Sequence, residues 1–199
     1  LRAVKICVVG AGAIGGFLAG KLALAGHEVS VLARGAHLEA IRRQGLTLID
    51  QHGSLQQVVG VRAAEAGTVT ELGEQELVFL ALKAHQIGDV APRLGALLGA
   101  AAPVVALQNG LPWWYFYRHG GQYDGRKLES VDPGGVIWNR LGPERALGCV
   151  VWPAAEIERP GVIAHHYGDR IPIGEPSGEK SERAGLLSRL LTAAGIKSP

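Results

Sequence analysis

Short apolar runs alternate with amphipathic segments along the first half of the chain. Residues 4–9 are almost continuously apolar and β-branched, which predicts a strand buried on both faces of a parallel sheet. From Ile14 to Ala25 the apolar positions recur with the spacing of a helix packed on that sheet, and Gly26 predicts its end. Repetition of this pattern predicts an α/β, Rossmann-like, doubly wound fold with a mainly parallel sheet and helices on both faces.

The same patterns predict the remaining elements. We expect strands at 29–33, 46–49, 55–61, 77–82 and 104–107, helices at 36–44 and from Ile87 to Gly99, and a hairpin turn at His52 and Gly53. Beyond Asn109 the pattern predicts further strands at 146–151, 162–166 and 171–173, followed by a helix at 181–194.

One domain accounts for the whole chain. We expect one Rossmann-like domain over residues 1–199, with a core at 1–112, an aromatic and glycine-rich excursion at 113–135, and additional strands and a helix at 136–199. With 199 residues, of which 47% are hydrophobic and 19% charged, this domain should form its core without metal or disulfides.

Charge and cysteine content limit the binding partners and the cellular compartment that we expect for this protein. A net charge of +2, spread along the chain, argues against nucleic acid and against anionic membranes as partners. Cys7 and Cys149 lie in apolar runs, so we expect reduced, buried thiols and a cytoplasmic protein. The longest apolar stretch, 96–107, is interrupted by Gly99 and Pro103 and is too short to span a bilayer.

A glycine motif opens the first predicted helix. Gly10-Ala11-Gly12-Ala13-Ile14-Gly15 fits the dinucleotide-binding pattern G-x-G-x-x-G and directly follows a buried strand. Gly10 would allow the tight turn, Gly12 the approach of a pyrophosphate, and Gly15 the close packing of helix and strand. The free N–H groups and positive dipole at the helix start would attract the phosphates. The alternative is a tight turn that binds nothing.

Arg34 follows the second predicted strand, where an acidic residue would bind the adenosine ribose of NAD or FAD. A guanidinium favours a 2′-phosphate instead, with hydrogen bonds worth roughly 1.5–3 kcal/mol. Arg34 therefore predicts NADP(H), unless it is an ordinary exposed arginine.

Lys83 and Asn109 follow the strands at 77–82 and 104–107, at the edge where open α/β sheets bind ligands. Lys83 would offer positive charge to the cofactor or to an anionic substrate, and Asn109 would bond the nicotinamide ribose or a substrate hydroxyl. A solvated lysine and a turn asparagine are the alternatives.

Two other pairs carry weaker signals. His165 and His166 are neighbours in a predicted strand and should point to opposite faces, so we predict no metal site there. Trp113 and Trp114 would either pack the excursion onto the domain or form a wall of the nicotinamide pocket.

Together these residues resemble the ketopantoate reductase (2-dehydropantoate 2-reductase) family. The resemblance spans most of the chain, and it rests on the glycine motif, Arg34, Leu82-Lys83-Ala84, Gln108-Asn109-Gly110 and the run Arg170-Ile171-Pro172-Ile173-Gly174-Glu175. It implies NADPH-dependent reduction of 2-dehydropantoate to (R)-pantoate, on the route to pantothenate and coenzyme A. It also implies that residues 10–15, Arg34, Lys83, Asn109 and Ala154 contact the cofactor, and that Asn109 and Lys83 contact the substrate.

The resemblance also identifies what this sequence lacks. In the family, a helical C-terminal domain supplies a catalytic lysine, which is the proton donor, and a glutamate. We expect both beyond Pro199 and no catalytic residue within this chain, which also contains no methionine. The excursion is longer and more aromatic than the family pattern, which leaves the exact substrate open.

Other functions remain compatible with these residues. One is an NADP(H)-dependent reductase of another 2-oxo or β-hydroxy acid, and another is a nucleotide-sensing regulatory module without catalysis. The expected partner is a small-molecule 2-oxo acid. A homodimer is one expected arrangement, although the residues do not decide the oligomeric state.

Overall fold

Eleven strands form two sheets in residues 2–199, the part of the chain described by the computed structural model. The strands are β1 (Lys5–Val9), β2 (Glu28–Leu32), β3 (Leu46–Ile49), β4 (Leu55–Val58), β5 (Arg62–Ala64), β6 (Leu77–Leu80), β7 (Val104–Ala106), β8 (Ala146–Cys149), β9 (Ala154–Arg159), β10 (Val162–Tyr167) and β11 (Ile173–Gly174). The helices are α1 (Ala13–Leu24), α2 (Gly35–Gln44), α3 (Ala84–Leu94), α4 (Val136–Leu141) and α5 (Glu182–Ala193).

The main sheet has the order β11-β8-β7-β6-β1-β2-β5. All of its pairings are parallel except that of β11 with β8. Strand β1 lies near the middle, and its apolar residues Ile6 to Val9 are fully buried because helices cover both faces. The predicted Rossmann-like architecture is therefore confirmed.

Strands β3 and β4 form the predicted hairpin, but this hairpin lies in a second sheet of order β4-β3-β10-β9. The strand that pairs with β2 at the edge of the main sheet is instead β5, which begins directly after the strand predicted at 55–61 and was not predicted. Strand β9 was not predicted, because three of its six residues are charged and four are exposed.

The second sheet covers the outer face of α1. A Cβ added at Gly16 would lie 2.8 Å from Ile163 of β10, and one added at Gly20 would lie 2.7 Å from Leu48 of β3. These two glycines let the helix approach the sheet closely. Phe17, Leu18 and Leu22 of α1 belong to the same apolar core as alternate residues of β1 and β2.

Several predicted boundaries were wrong. Helix α3 ends at Leu94, two residues after Pro92, and not near Gly99, because a short 3-10 turn, Gly95–Leu97, follows it. The excursion contains no regular strand among its described residues, but its end leads into α4, which was not predicted. Helix α4 packs Ile137 and Leu141 into the core on the α3 side of the main sheet.

The helices are all too short or too polar to cross a membrane, within residues 2–199.

Candidate functional site

The order of the main sheet reverses between β1 and β6. Helix α1, which follows β1, packs on one face of the sheet, and α3, which follows β6, packs on the other. In open α/β sheets this divergence leaves a crevice beyond the carboxyl ends of the strands, where ligands bind. The glycine motif, Lys83 and Asn109 all follow strands at this edge.

Two of the motif glycines are required by close backbone contacts. Gly10 has a φ of +100°, and an added Cβ would lie 2.7 Å from Leu82 Cδ2. An added Cβ at Gly15 would lie only 1.9 Å from the Gly10 carbonyl oxygen. Gly12 differs, because an added Cβ there would meet nothing within 4 Å. The open space beside Gly12 is therefore where a ligand can approach the backbone.

The amide groups of the motif divide into two sets. The N–H groups of Gly10 and Ala11 donate to the Leu32 carbonyl oxygen, at 3.0 and 2.9 Å, and so fix the loop to the end of β2. Ala11 thus holds the loop in place and does not offer its N–H to a ligand. The amides of the first turn, including Ala13 and Ile14, have no intrahelical acceptor, and the N-cap residue Gly12 has no side chain to bond them. These amides are suited to an anion such as a pyrophosphate.

Arg34 lies next to this loop, two residues after β2 ends at Leu32. It is the N-cap residue of α2 in an extended conformation, and its side chain is exposed. Within residues 2–199 its guanidinium has no hydrogen-bond or ion-pair partner. The residue is therefore available to an anion at the adenosine end of the crevice.

His37 was not selected from the sequence, yet its ring lies between the glycine loop and the second sheet. Its Nδ1 accepts a hydrogen bond from the Gly161 amide at 3.0 Å. Burial lowers the pKa of His37, and the neighbouring Ala11 carbonyl opposes this shift. The ring is thus held neutral, with Nδ1 as the acceptor. A single histidine on a polar helix gives no sequence signal for such a bridge.

Lys83 and Gln108 lie at the ends of β6 and β7. Lys83 is the exposed N-cap residue of α3, and its N–H donates to the Gln86 Oε1 atom at 3.2 Å. Gln108 donates from Nε2 to the Leu82 carbonyl oxygen at 2.7 Å, which ties the two strand ends together. Lys83 therefore has a fixed backbone and an exposed side chain at the ligand-binding edge.

Asn109 makes two hydrogen bonds to the backbone of one residue. Its Nδ2 donates to the Val151 carbonyl oxygen at 3.1 Å, and its Oδ1 accepts from the Val151 amide at 3.0 Å. Val151 lies just beyond β8, so Asn109 clamps the ends of two neighbouring strands. The Nδ2 atom of Asn109 carries two hydrogens, and the one that is not donated to Val151 remains available to a ligand.

Ala154 begins β9 and therefore belongs to the second sheet, where it pairs with Tyr167. The adjacent His165 stacks on Phe17 of α1, with ring centroids 4.3 Å apart, whereas His166 faces Glu156 on the solvent side. The histidines do point to opposite faces, as the sequence predicted. Ala154 lies on the strands that cover α1, three residues after the clamped Val151.

An open pocket of about 330 Å³ lies beyond the ends of β7 and β8. Trp114 forms one wall and contacts the backbone of Gly148, where an added Cβ would lie 2.8 Å from the indole ring. Trp113 is instead buried among core residues and packs edge-on against Trp138. Burial raises the pKa of the pocket thiol Cys149 to about 12, so the thiol is protonated and donates to the Ala106 carbonyl oxygen. Trp113 therefore packs this segment onto the domain, one of the two roles expected for the pair, whereas Trp114 lines an open pocket.

Comparison with known proteins identifies the relatives of this chain. The family described as Ketopantoate reductase PanE/ApbA matches residues 6–178. A 2-dehydropantoate 2-reductase of Mesorhizobium japonicum is 50% identical over 98% of the chain and 59% of its own length. A crystal structure from Ralstonia solanacearum MolK2, provisionally identified as a ketopantoate reductase, is 40% identical, with a TM-score of 0.91 over 99% of this chain and 60% of that one.

More distant structures share the fold alone. A D-mandelate dehydrogenase in ternary complex with NADH and anilino(oxo)acetate is 19% identical, with a TM-score of 0.77. The chain spans about 60% of the length of the Mesorhizobium and Ralstonia relatives.

Proposed function

Because this chain belongs to the ketopantoate reductase PanE/ApbA family, we propose that it forms the NADP(H)-binding part of an enzyme that reduces 2-dehydropantoate to (R)-pantoate. This reaction lies on the route to pantothenate and coenzyme A. The observation that carries the proposal is the open approach to Gly12 at the point where the sheet order reverses. The 50% identity to a 2-dehydropantoate 2-reductase supports this choice of substrate.

The glycine loop and Arg34 fit a nicotinamide dinucleotide phosphate. The first-turn amides of α1 would hold the pyrophosphate, and the exposed Arg34 guanidinium would bind a 2′-phosphate on the adenosine ribose. Four strand spacings, about 19 Å in total, separate β2 from β8 along the same edge. The nicotinamide would then lie near Lys83 and Asn109. When bound, NADPH supplies the hydride for reduction.

The remaining roles concern the substrate. The ammonium group of Lys83 would attract the carboxylate of the 2-oxo acid, and the free amide hydrogen of Asn109 would bond an oxygen of the substrate or of the nicotinamide ribose. We place the proton donor, the family lysine, and its accompanying glutamate in a helical domain beyond Pro199. Residues 1–199 therefore bind and orient, while proton transfer depends on the other domain.

The experiment is a turnover assay of the full-length protein with NADPH and 2-dehydropantoate. We expect oxidation of NADPH that requires the acid, and formation of pantoate detected by mass spectrometry. NADPH binding without any oxidation would support the alternative of a nucleotide-sensing module. Oxidation with another 2-oxo or β-hydroxy acid, but not with 2-dehydropantoate, would support a different substrate.

The setting of the enzyme is part of the same proposal. We assign it to the cytoplasm, with a small-molecule 2-oxo acid as its partner and a homodimer as its assembly. Sedimentation of the full-length protein tests the dimer directly, because a mass of one chain would exclude it.

A further inference from the structure

The pocket beneath Trp114 opens next to the proposed substrate contact. Gln108 and Gly110, which flank Asn109 in the chain, both line it. Val150, which precedes the clamped Val151, lines it from the side of β8. A molecule that bonds Asn109 therefore has this pocket immediately beside it.

The lining of the pocket favours an uncharged group. Trp114, Pro112, Pro172 and Ile173 contribute carbon surfaces, and no lysine, arginine or histidine is among its described lining residues. Such a pocket offers no counter-ion to a carboxylate or a phosphate.

The two ionisable groups of the pocket do not alter this conclusion. The Cys149 thiol is neutral and already donates to the Ala106 carbonyl oxygen. The Glu175 carboxylate accepts two hydrogen bonds from the Arg183 guanidinium, each 2.6 Å long, so its charge is balanced within the protein. Neither group therefore needs a polar or charged partner from a ligand.

The size of the pocket points to a bulky group. A dry, apolar cavity of about 150 Å³ is enough to hold a benzene ring. The pocket beneath Trp114 measures about 330 Å³, which leaves room for an aromatic ring and its linking carbon. The Trp114 indole in the lining offers an aromatic surface against which such a ring can pack.

We propose that this pocket binds the hydrocarbon side chain of the 2-oxo acid, and that the enzyme therefore also reduces 2-oxo acids that carry an aromatic side chain. The inference rests on the reductase function proposed above. The carbonyl carbon of the acid accepts a hydride from NADPH as its C–O π bond breaks. The oxygen takes a proton from the family lysine beyond Pro199, so the products are the 2-hydroxy acid and NADP⁺.

Gly174 provides a sharp test, because it lines the pocket and an added Cβ would meet nothing within 4 Å. Gly174→Leu therefore adds a bulky apolar side chain at the lining of the pocket, and its Cβ meets no neighbour. With the full-length protein and NADPH, we expect this variant to lower kcat/KM for phenylpyruvate by about tenfold or more. The value for 2-dehydropantoate, whose side chain is smaller, should change by less than about threefold.

The matched control is Gly95→Leu. Gly95 is exposed just after α3, and an added Cβ there also meets nothing within 4 Å. This variant should leave kcat/KM unchanged for both acids. A second pocket variant, Trp114→Leu, removes the aromatic surface and should raise KM for phenylpyruvate more than it lowers kcat.

A binding measurement separates the pocket from turnover. Saturation-transfer NMR of phenylpyruvate with the wild-type protein should show the ring protons in contact with the protein, and Gly174→Leu should abolish this signal. Equal losses for both acids in Gly174→Leu would mean that the pocket packs protein and not substrate, which overturns the inference. Absence of phenylpyruvate reduction by a wild type that reduces 2-dehydropantoate also overturns it. Reduction of phenylpyruvate alone would instead refute the proposed substrate and retain the pocket assignment.

Discussion

Asn109 bonds both the N–H and the C=O of Val151 through one side-chain amide, at 3.0 and 3.1 Å. The residue expected from the sequence to contact a ligand thus also joins the ends of β7 and β8. A side-chain amide can do this because it has a donor nitrogen and an acceptor oxygen on one planar group. The clamp that Asn109 forms and its proposed ligand contact therefore depend on the same group.

Asn109→Asp should destabilise the protein by about 1 kcal/mol, because the Val151 carbonyl loses its donor and faces a carboxylate instead. Urea unfolding measures the change. Asn139→Asp is the matched control, since the exposed Asn139 only accepts a hydrogen bond there, from Lys127 Nζ at 2.7 Å. Equal unfolding midpoints for the two variants would show that the clamp contributes nothing.

Arg34→Glu should weaken NADPH binding by about tenfold or more and leave NADH binding nearly unchanged, because only NADPH carries the 2′-phosphate. Titration calorimetry on the full-length protein measures both. Arg43→Glu, at the exposed far end of α2, makes the same charge change away from the loop. If both cofactors lost affinity equally in Arg34→Glu, the guanidinium would not contact the phosphate.

Gly12 and Gly15 should respond differently to the same substitution. Gly15→Ala should destabilise the fold by about 3 kcal/mol or more, because its Cβ would overlap the Gly10 carbonyl. Gly12→Ala should fold with its stability changed by about 0.5 kcal/mol or less, because its Cβ enters open space.

The methyl group introduced by Gly12→Ala would nevertheless occupy the approach to the first-turn amides. We expect NADPH affinity to fall by about tenfold in Gly12→Ala, measured by calorimetry at a temperature where the variant is fully folded. Unchanged affinity in a folded Gly12→Ala would place the pyrophosphate elsewhere.

The Glu175–Arg183 pair should make stability depend on pH. The Arg183 guanidinium holds the pKa of the Glu175 carboxyl below its ordinary value of 4.5, and the Ser181 hydroxyl adds to this effect. Because the folded pKa is lowered, the pair stabilises the protein fully above that ordinary value. The contribution is lost as the pH falls through the folded pKa.

Glu175→Gln should therefore reduce the free energy of unfolding by about 1–3 kcal/mol near neutral pH, a range lowered to allow for the partial exposure of Arg183. The difference from wild type should shrink in acid. Urea unfolding across this pH range measures it, with the exposed Glu179→Gln as control, since Glu179 lies 3.9 Å from Arg118. A difference that stayed constant in acid would exclude the ionised pair as its source.

Local patterns predicted the parts of the fold that are locally determined. The apolar run of β1, the glycine turn and the amphipathic stripe of α1 each carry their own signal, and together they identified the ligand-binding edge. The hairpin of β3 and β4 was also predicted, but its place in a second sheet was not. That place depends on pairing between Thr47 and Val162, which are far apart in the chain.

In the candidate site, too, the local features were predicted from the sequence and the contacts between distant residues were not. Gly10, Gly12 and Gly15 were assigned from spacing, and the backbone contacts of Gly10 and Gly15 agree with their expected turn and packing roles. The use of Ala11 N–H inside the loop and the bonds of Asn109 to Val151 could not be predicted, because both depend on partners from other strands. The pocket wall at Trp114 likewise depends on how an aperiodic segment folds back over Gly148.

The covering of α1 by β10 has a consequence for biosynthesis. The ribosome delivers the glycine loop and α1 early, yet Ile163, which packs against Gly16, lies 147 residues further along the chain (163 − 16) and is translated much later. Until β10 is made, the face of α1 that it covers stays exposed to solvent. A nascent chain that stalls before β10 presents this face to chaperones. The glycine loop and α1 can therefore complete their packing only after β10 has been translated.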